Sequence, residues 1–339
     1  MKILYLAHRI PYPPNKGDKI RSYNELKYLA DRHTVDLLCL ADEPEDLKHA
    51  GALRQICCQV EVFLLNKVLA KGVGLFSLLR GGSISAGYFY RKAMQQVFDR
   101  WVATENYDAI FCFSSSMAEY VFKSNSLPQP SPKLVMDFCD VDSDKWGQYA
   151  KEAKFPLRPL YWTEKQRLAS YERQIQERFD GTILISAAEA ALFKRVCSDY
   201  QDKITIVPNG VDHAYFMPDF EPRTSNLEPR TSTPEPRTLN LVFTGAMDYH
   251  ANIDGVTWFC RDIWSQLKEK YSGLSFYIVG SKPTPEVRQL EQLVGVTVTG
   301  FVDDIRDYYA LADICVVPLR MARGVQNKVL EAMAMGKPV

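Results

Sequence analysis

Three cations and a carboxylate stand close together near the end of the chain: Arg320, Arg323, Lys328 and Glu331, within ADICVVPLRMARGVQNKVLEAMAMGKPV (residues 312–339). The apolar start of this stretch reads as a buried parallel strand over 313–318. The loop holding Arg320, Arg323 and Gly324 leads into a helix stopped by Gly336 and Pro338. A helix N-terminus offers unpaired N–H groups to an anion, and guanidinium or ammonium groups beside it add charge-assisted hydrogen bonds. In outline this is a phosphate site. At 3.6 residues per turn Asn327, Lys328 and Glu331 share one sector, while Val329, Leu330 and Met333 fall opposite and are expected to pack. A carboxylate set back along the helix suits a pair of sugar hydroxyls. The same residues also read as a solvated stripe, with a Lys328/Glu331 pair contributing about 0.2–0.5 kcal/mol.

Two further places hold chemistry. After a first strand at 2–7, the loop PYPPNKGDKIRS combines stiff prolines with Lys16 and Gly17, where backbone can approach a ligand. It is neither a GxGxxG fingerprint nor a P-loop. The second place is FCDVDSDKW, where Asp137, Asp140, Asp142 and Asp144 crowd the end of a strand. An EF-hand counted from Asp140 fails, because Lys145 and Lys151 stand where Gly and Glu are required. An Asp-x-Asp metal site is compatible with the composition. The preferred reading has Asp142 or Ser143 capping a helix, with Asp137 or Asp140 facing a ligand cleft.

LEAMAMGKPV resembles the carboxyl-terminal signature of family 4 glycosyltransferases, retaining enzymes of GT-B architecture. The resemblance implies that Glu331, the last Glu of the family's Glu-(seven residues)-Glu motif, holds the ribose of a sugar nucleotide. Arg323 stands where the first Glu is expected. Gly17 matches a loop lying against donor and acceptor, PNGVDHAYF (208–216) resembles the interdomain crossing, and Phe301 and Val302 match the loop over the base. After Gly245 the family places Arg and then Lys on the diphosphate, but here those positions are Ala246 and Asn252.

Arg320, Arg323 and Lys328 are therefore expected to supply the missing cations and, with Glu331, to serve catalysis. Gly17, Gly245, Phe301, Val302, Gly324 and Asn327 would line the donor site, and Lys16, Asp137 and Asp140 the acceptor side. The pattern is similar to the exosortase- and exopolysaccharide-associated sugar transferases. It implies transfer of a hexose from a UDP- or GDP-sugar to a glycan or lipid-linked acceptor, with retention, without an obligatory metal and with no further cofactor. The family pattern continues past the position of Val339, so the second domain is expected to be incomplete. A sugar-nucleotide epimerase and a non-catalytic nucleotide-binding scaffold are the alternatives.

The elements that must position these residues follow from pattern. Strand-like runs of four to eight residues alternate with helical ones, an α/β pattern, and the resemblance implies two Rossmann-like domains facing across a cleft. The expected division is 1–207, then a crossing and linker over 208–238, then 239–339. The linker repeats EPRT and is too rich in Pro and Thr to build a core. The chain has 339 residues, 46% of them hydrophobic, and 41 basic against 41 acidic side chains. It can bury two cores and presents no global field for nucleic acid. Eight cysteines scattered through apolar runs read as reduced, buried thiols of a cytoplasmic protein. The start enters a strand without a signal-peptide pattern. Residues 66–82, apolar with Lys67, Lys71 and Arg80, read either as a basic amphipathic segment on the inner face of the cytoplasmic membrane or as a core segment whose glycines oppose a helix.

Overall fold

A computed structural model describes residues 1–197, 199, 201–218, 238–321 and 326–339. Two compact units divide the chain, Met1–Pro208 and Asn209–Val339. The EPRT repeat, Arg323 and Gly324 fall outside the described residues.

The first unit is built on seven parallel strands: β1 (Lys2–Ala7), β2 (Thr34–Ala41), β3 (Gln59–Leu64), β4 (Ala109–Phe113), β5 (Lys133–Cys139), β6 (Gly181–Leu184) and β7 (Ile204–Ile206). Their order is β3-β2-β1-β4-β5-β6-β7, so the winding reverses between β1 and β4. Alternating side chains feed two cores. Leu4, Leu6, Leu38 and Leu40 enter one, and Ile3, Tyr5, Leu37 and Cys39 the other, as expected of strands covered on both faces. The helices are α1 (Gly17–Ala30), α2 (Ala50–Leu53), α3 (Lys67–Leu79), α4 (Ile84–Tyr88), α5 (Lys92–Thr104), α6 (Ala118–Lys123), α7 (Asp142–Glu152), α8 (Leu157–Arg178) and α9 (Ala187–Val196).

Several helix starts depend on carboxylates distant in sequence. Glu164 of α8, fully buried, accepts from the backbone N–H groups of Ile84 and Ser85 and from the Ser83 hydroxyl, fixing the start of α4. The start of α7 uses Glu189, which accepts from Val141 N–H, and Glu172, which accepts from Ser143 N–H and its hydroxyl. Asp142 and Ser143, expected as caps, are thus inside the helix. Residues 67–79 form a helix despite Gly72 and Gly74, with the Asn66 side chain accepting from the N–H groups of Val68 and Leu69. Cys58 is exposed, unlike the buried thiols expected.

The second unit carries four parallel strands: β8 (Leu239–Thr244), β9 (Leu274–Val279), β10 (Val296–Gly300) and β11 (Ile314–Cys315). The order β10-β9-β8-β11 puts its reversal between β8 and β11. Its α-helices are α10 (His250–Trp258), α11 (Ser265–Lys270), α12 (Pro285–Arg288), α13 (Arg306–Leu311) and α14 (Asn327–Ala334). A π-helical turn, Phe259–Trp264, joins α10 to α11. The strand expected over 313–318 pairs only at Ile314 and Cys315, although Val316 N–H still reaches Val242 O at 2.9 Å.

Residues 209–216 belong to this unit. Asp212 caps the turn at Ala214 and Tyr215, and Phe216 packs edge-on against Tyr309 of α13, ring centroids 6.0 Å apart. Asp304 accepts from Arg306 N–H at 3.0 Å where α13 begins.

Candidate functional site in the second unit

In an open parallel sheet the ligand crevice lies beyond the carboxyl ends of the strands where the winding reverses. In this unit that point is the end of β8, at Thr244 and Gly245, beside Lys328 of α14. Two glycines permit the approach. Gly280, after β9, has φ +151°, and a Cβ there would overlap the carbonyl oxygen of Gly245. A Cβ on Gly245 would lie 2.7 Å from Asn252 Nδ2 and 3.1 Å from Lys328 Nζ. Gly245 therefore leaves room for an amide and an ammonium directly over the strand end. Gly280→Ala is expected to unfold or distort this edge, visible as a large drop in the second unit's melting temperature.

Lys328 and Glu331 both turn inward. The inner stripe of α14 is Lys328, Glu331, Ala332 and Met335, with the last two in the core, while Met333 is exposed. The expected split into a packing face with Met333 and a separate polar face is corrected: polar and packing residues share one face. Lys328 Nζ donates to Asn252 Oδ1 at 2.8 Å and lies 4.1 Å from the centre of the Phe243 ring. Asn252 is itself fixed, donating from Nδ2 to Ala246 O at 2.9 Å. Burial pushes the ammonium of Lys328 down to about 7, against a smaller opposing pull from Glu331. Among the described residues this ammonium makes one side-chain hydrogen bond, to Asn252, and an ammonium has three donors.

Glu331 is held from the other side. Tyr309 donates its hydroxyl to Glu331 Oε2 at 2.8 Å, so the Thr244 hydroxyl, 2.8 Å from the Tyr309 oxygen, must donate to Tyr309. The Glu331 carboxyl is raised above its ordinary value by burial, against the Tyr309 hydrogen bond and the charge of Lys328. Tyr309→Phe removes the hydrogen bond that Tyr309 accepts from Thr244 and the one it donates to Glu331; the latter alone, about 1 kcal/mol, orients the carboxylate and is worth roughly a fivefold change in an equilibrium. The expected result is a fivefold loss of UDP affinity with the fold preserved, read by calorimetry.

The remaining expected residues separate. Asn327 begins α14, and its side-chain oxygen accepts from Asn209 at 3.2 Å. Phe301 is 72% exposed after β10, whereas Val302 packs against the core containing Tyr309 and Ala332. Arg320 does not join Lys328. It pairs with Asp254 of α10, its Nε donating at 3.0 Å, on an open surface near the Trp258 ring. The expectation of three cations in one crevice is corrected to Lys328 among the described residues, since Arg323 lies outside them.

The first unit supplies a second correction. Asp137 is fully buried and accepts from Arg21 Nε and Nη2 at 2.9 and 2.6 Å, while Cys139 N–H donates to its other oxygen. Arg21 also donates to Val207 O, so the pair ties α1 to β5 and to the end of β7. Asp137 is a structural carboxylate and not one open to a ligand. Asp140 is half-buried in the loop after β5, and Lys16 and Gly17 are exposed where α1 begins.

Sequence reading missed His8, which follows β1 at the reversal point. Its ring stacks on Phe113 and meets Phe89 edge-on, and Nε2 is 3.5 Å from Asp18. Nδ1 is buried without a hydrogen-bond partner among the described residues. Tyr309 was missed because an aromatic in a short helix reads as core. Asn252 was missed because an amide at a position expected to hold Lys reads as a loss.

No curated protein matches the chain. Among solved structures, the sucrose-phosphate synthase tll1590 from Thermosynechococcus elongatus is similar over 100% of this chain and 80% of its own, with TM-score 0.67 and 17% identity. Anabaena Alr3699/HepE in complex with UDP and glucose gives TM-score 0.58 and 18% identity, covering 100% of this chain and 79% of its own. WaaG, a glycosyltransferase involved in lipopolysaccharide biosynthesis, gives 0.60 and 14%, covering 99% and 80%. At such identities the likeness is one of fold, the α/β fold of GT-B glycosyltransferases. Residues 238–339, which hold the whole Lys328 and Glu331 arrangement, match the family described as "Glycosyl transferases group 1".

Proposed function

We propose that the chain is a glycosyltransferase that takes a hexose from a UDP- or GDP-sugar, retains the anomeric configuration and needs no metal. The acceptor is a glycan or lipid-linked saccharide of exopolysaccharide or cell-surface glycan synthesis, as the resemblance to family 4 and its exosortase-associated group suggests. The observation that carries this reading is the pair of inward groups over Gly245. Lys328 keeps donors for a diphosphate, and Glu331 keeps Oε1 for the ribose while Tyr309 occupies Oε2. Lys328 and the N-terminus of α14 would stabilise the leaving diphosphate as its charge grows. Phe301, exposed after β10, would cover the base. The similarity to a structure containing UDP and glucose supports a nucleotide-sugar donor.

In the same reading Lys16, Asp140 and His8 at the edge of the first unit's sheet meet the acceptor. The enzyme works in the cytoplasm on the inner face of the membrane, which it touches through residues 66–82. In support, α3 exposes Val68, Leu69, Leu75, Phe76 and Leu79 beside Lys71 and Arg80. No described helix is long and apolar enough to cross a membrane.

Glu331→Gln tests the donor assignment. It should fold normally and bind both UDP and uridine about tenfold more weakly, one hydrogen bond to a charged group being about 1.5 kcal/mol. Unchanged affinities by calorimetry refute the ribose role. Turnover of UDP- and GDP-sugars, followed with and without saccharide acceptors, separates a transferase from an epimerase or a non-catalytic binder.

A further inference from the structure

The apolar side chain most open to solvent among the described residues is not on α3. Phe155 is 87% exposed, at the tip of the helical hairpin formed by α7 and α8. Leu157 and Trp162, each 48% exposed, follow it on α8, and every residue over 154–159 is exposed. The hairpin needs none of this surface for its own packing. The buried side chains of α8 lie farther along it, Tyr171 and Ile175 in the core of the first unit, and the tip is fixed from within by the Trp146–Tyr161 ring contact at 5.2 Å.

Charge decides what fits such a surface. The chain is neutral overall, yet residues 151–165 carry Lys151, Lys154, Arg158 and Lys165 against Glu152 and Glu164. Glu164 is buried under the start of α4, which leaves one carboxylate facing solvent. Residues 66–82 carry Lys67, Lys71 and Arg80 and no acid, and Lys67 is paired with Glu43. In both segments a cation lies on an exposed ring: Lys165 Nζ is 4.5 Å from the Trp162 centroid, and the Arg80 guanidinium 4.3 Å from that of Phe76.

The two segments adjoin. The turn after α3 docks on α8 at Glu164, and Leu157 lies about 10 Å farther along that helix at 1.5 Å per residue. Apolar side chains on a convex tip ringed by cations suit a lipid–water interface: the rings enter the acyl boundary and the cations stay at the phosphates.

We propose that the α7–α8 tip inserts Phe155 and Leu157 into an anionic lipid bilayer, a second point of attachment beside α3. The choice of a bilayer rests on the membrane reading of residues 66–82, but the tip makes its own prediction. The full-length chain is mixed with vesicles of phosphatidylcholine alone or with added phosphatidylserine, and the bound fraction is measured by co-sedimentation. Trp162 reports depth through quenching by brominated acyl chains, with Trp162→Phe identifying its signal.

The expected result is binding that requires phosphatidylserine, quenching that disappears in Trp162→Phe, and about a tenfold lower partition for Phe155→Ser, equivalent to about 1.4 kcal/mol of lost apolar transfer. Because Phe155 is exposed, circular dichroism and melting of that variant should match the parent. If Phe155→Ser binds as the parent does while Leu79→Ser on α3 does not, the tip is refuted and the reading of 66–82 stands. Absence of binding to any vesicle refutes both and leaves the apolar tip to a protein partner. Binding without phosphatidylserine refutes the charge argument and with it the proposal.

Discussion

Lys328→Met should lower the affinity for UDP by about 10- to 150-fold while changing affinity for uridine far less. A hydrogen bond to a charged group is worth about 1.5–3 kcal/mol, and this ammonium is the cation brought to Gly245 among the described residues. The methionine fills similar volume against Phe243 and leaves Asn252 its bond to Ala246. Isothermal calorimetry with UDP and uridine separates the two effects, and equal losses would refute contact with phosphate.

The same residue sets the pH dependence. With the Lys328 ammonium pushed down to about 7 by burial, its charge is expected to titrate within the neutral range. If the charged form alone binds, UDP affinity falls tenfold per pH unit well above 7 and levels below it, and binding takes up a proton that calorimetry in buffers of different ionisation enthalpy detects. UDP's own titration contributes equally in Lys328→Met, so the difference between the two profiles isolates the lysine. Stability has the opposite slope. The unfolded chain holds this proton up to 10.5 and the folded one only to about 7, so between those values the unfolded state binds more protons and stability rises with pH.

What could be read in the sequence was local. Helical spacing put Lys328 and Glu331 on one side of α14, and the strand ending in Thr244 and Gly245 was visible as an apolar run closed by a glycine. Sequence spacing could not show that this side faces inward, because α14 is short and its outer face also carries apolar Met333. Asn252 looked like the loss of a cation. In three dimensions it is the amide that holds the cation arriving from 76 residues later. The capping carboxylates Glu164, Glu172 and Glu189 were equally invisible, because each serves a helix other than its own and nothing in a helical heptad distinguishes a carboxylate turned inward from one turned out. Arg320 failed for the converse reason. Its neighbours in sequence suggested a shared anion, but the nearer Asp254 engages it first.

Asp137→Ala should destabilise the first unit by about 3–5 kcal/mol and leave UDP binding by the second unit unchanged once the protein is folded. Removing this carboxylate takes from the buried Arg21 guanidinium the counter-ion at which it directs Nε and Nη2. Glu25 Oε1 lies 3.0 Å from Arg21 Nε, and its carboxyl is held well above its ordinary value by burial first and then by the Asp137 charge; losing that charge lets Glu25 take over part of the pairing, which puts the expected loss toward the lower end of the range. Pairing Asp137→Ala with Arg21→Met removes both charges and should recover much of the loss, because a buried ion pair replaced by apolar groups is often near neutral while a broken one is not. Chemical denaturation of the single and double variants measures the coupling directly. An acceptor-binding Asp137 would behave otherwise: the alanine variant would melt like the parent and lose turnover with every acceptor tried.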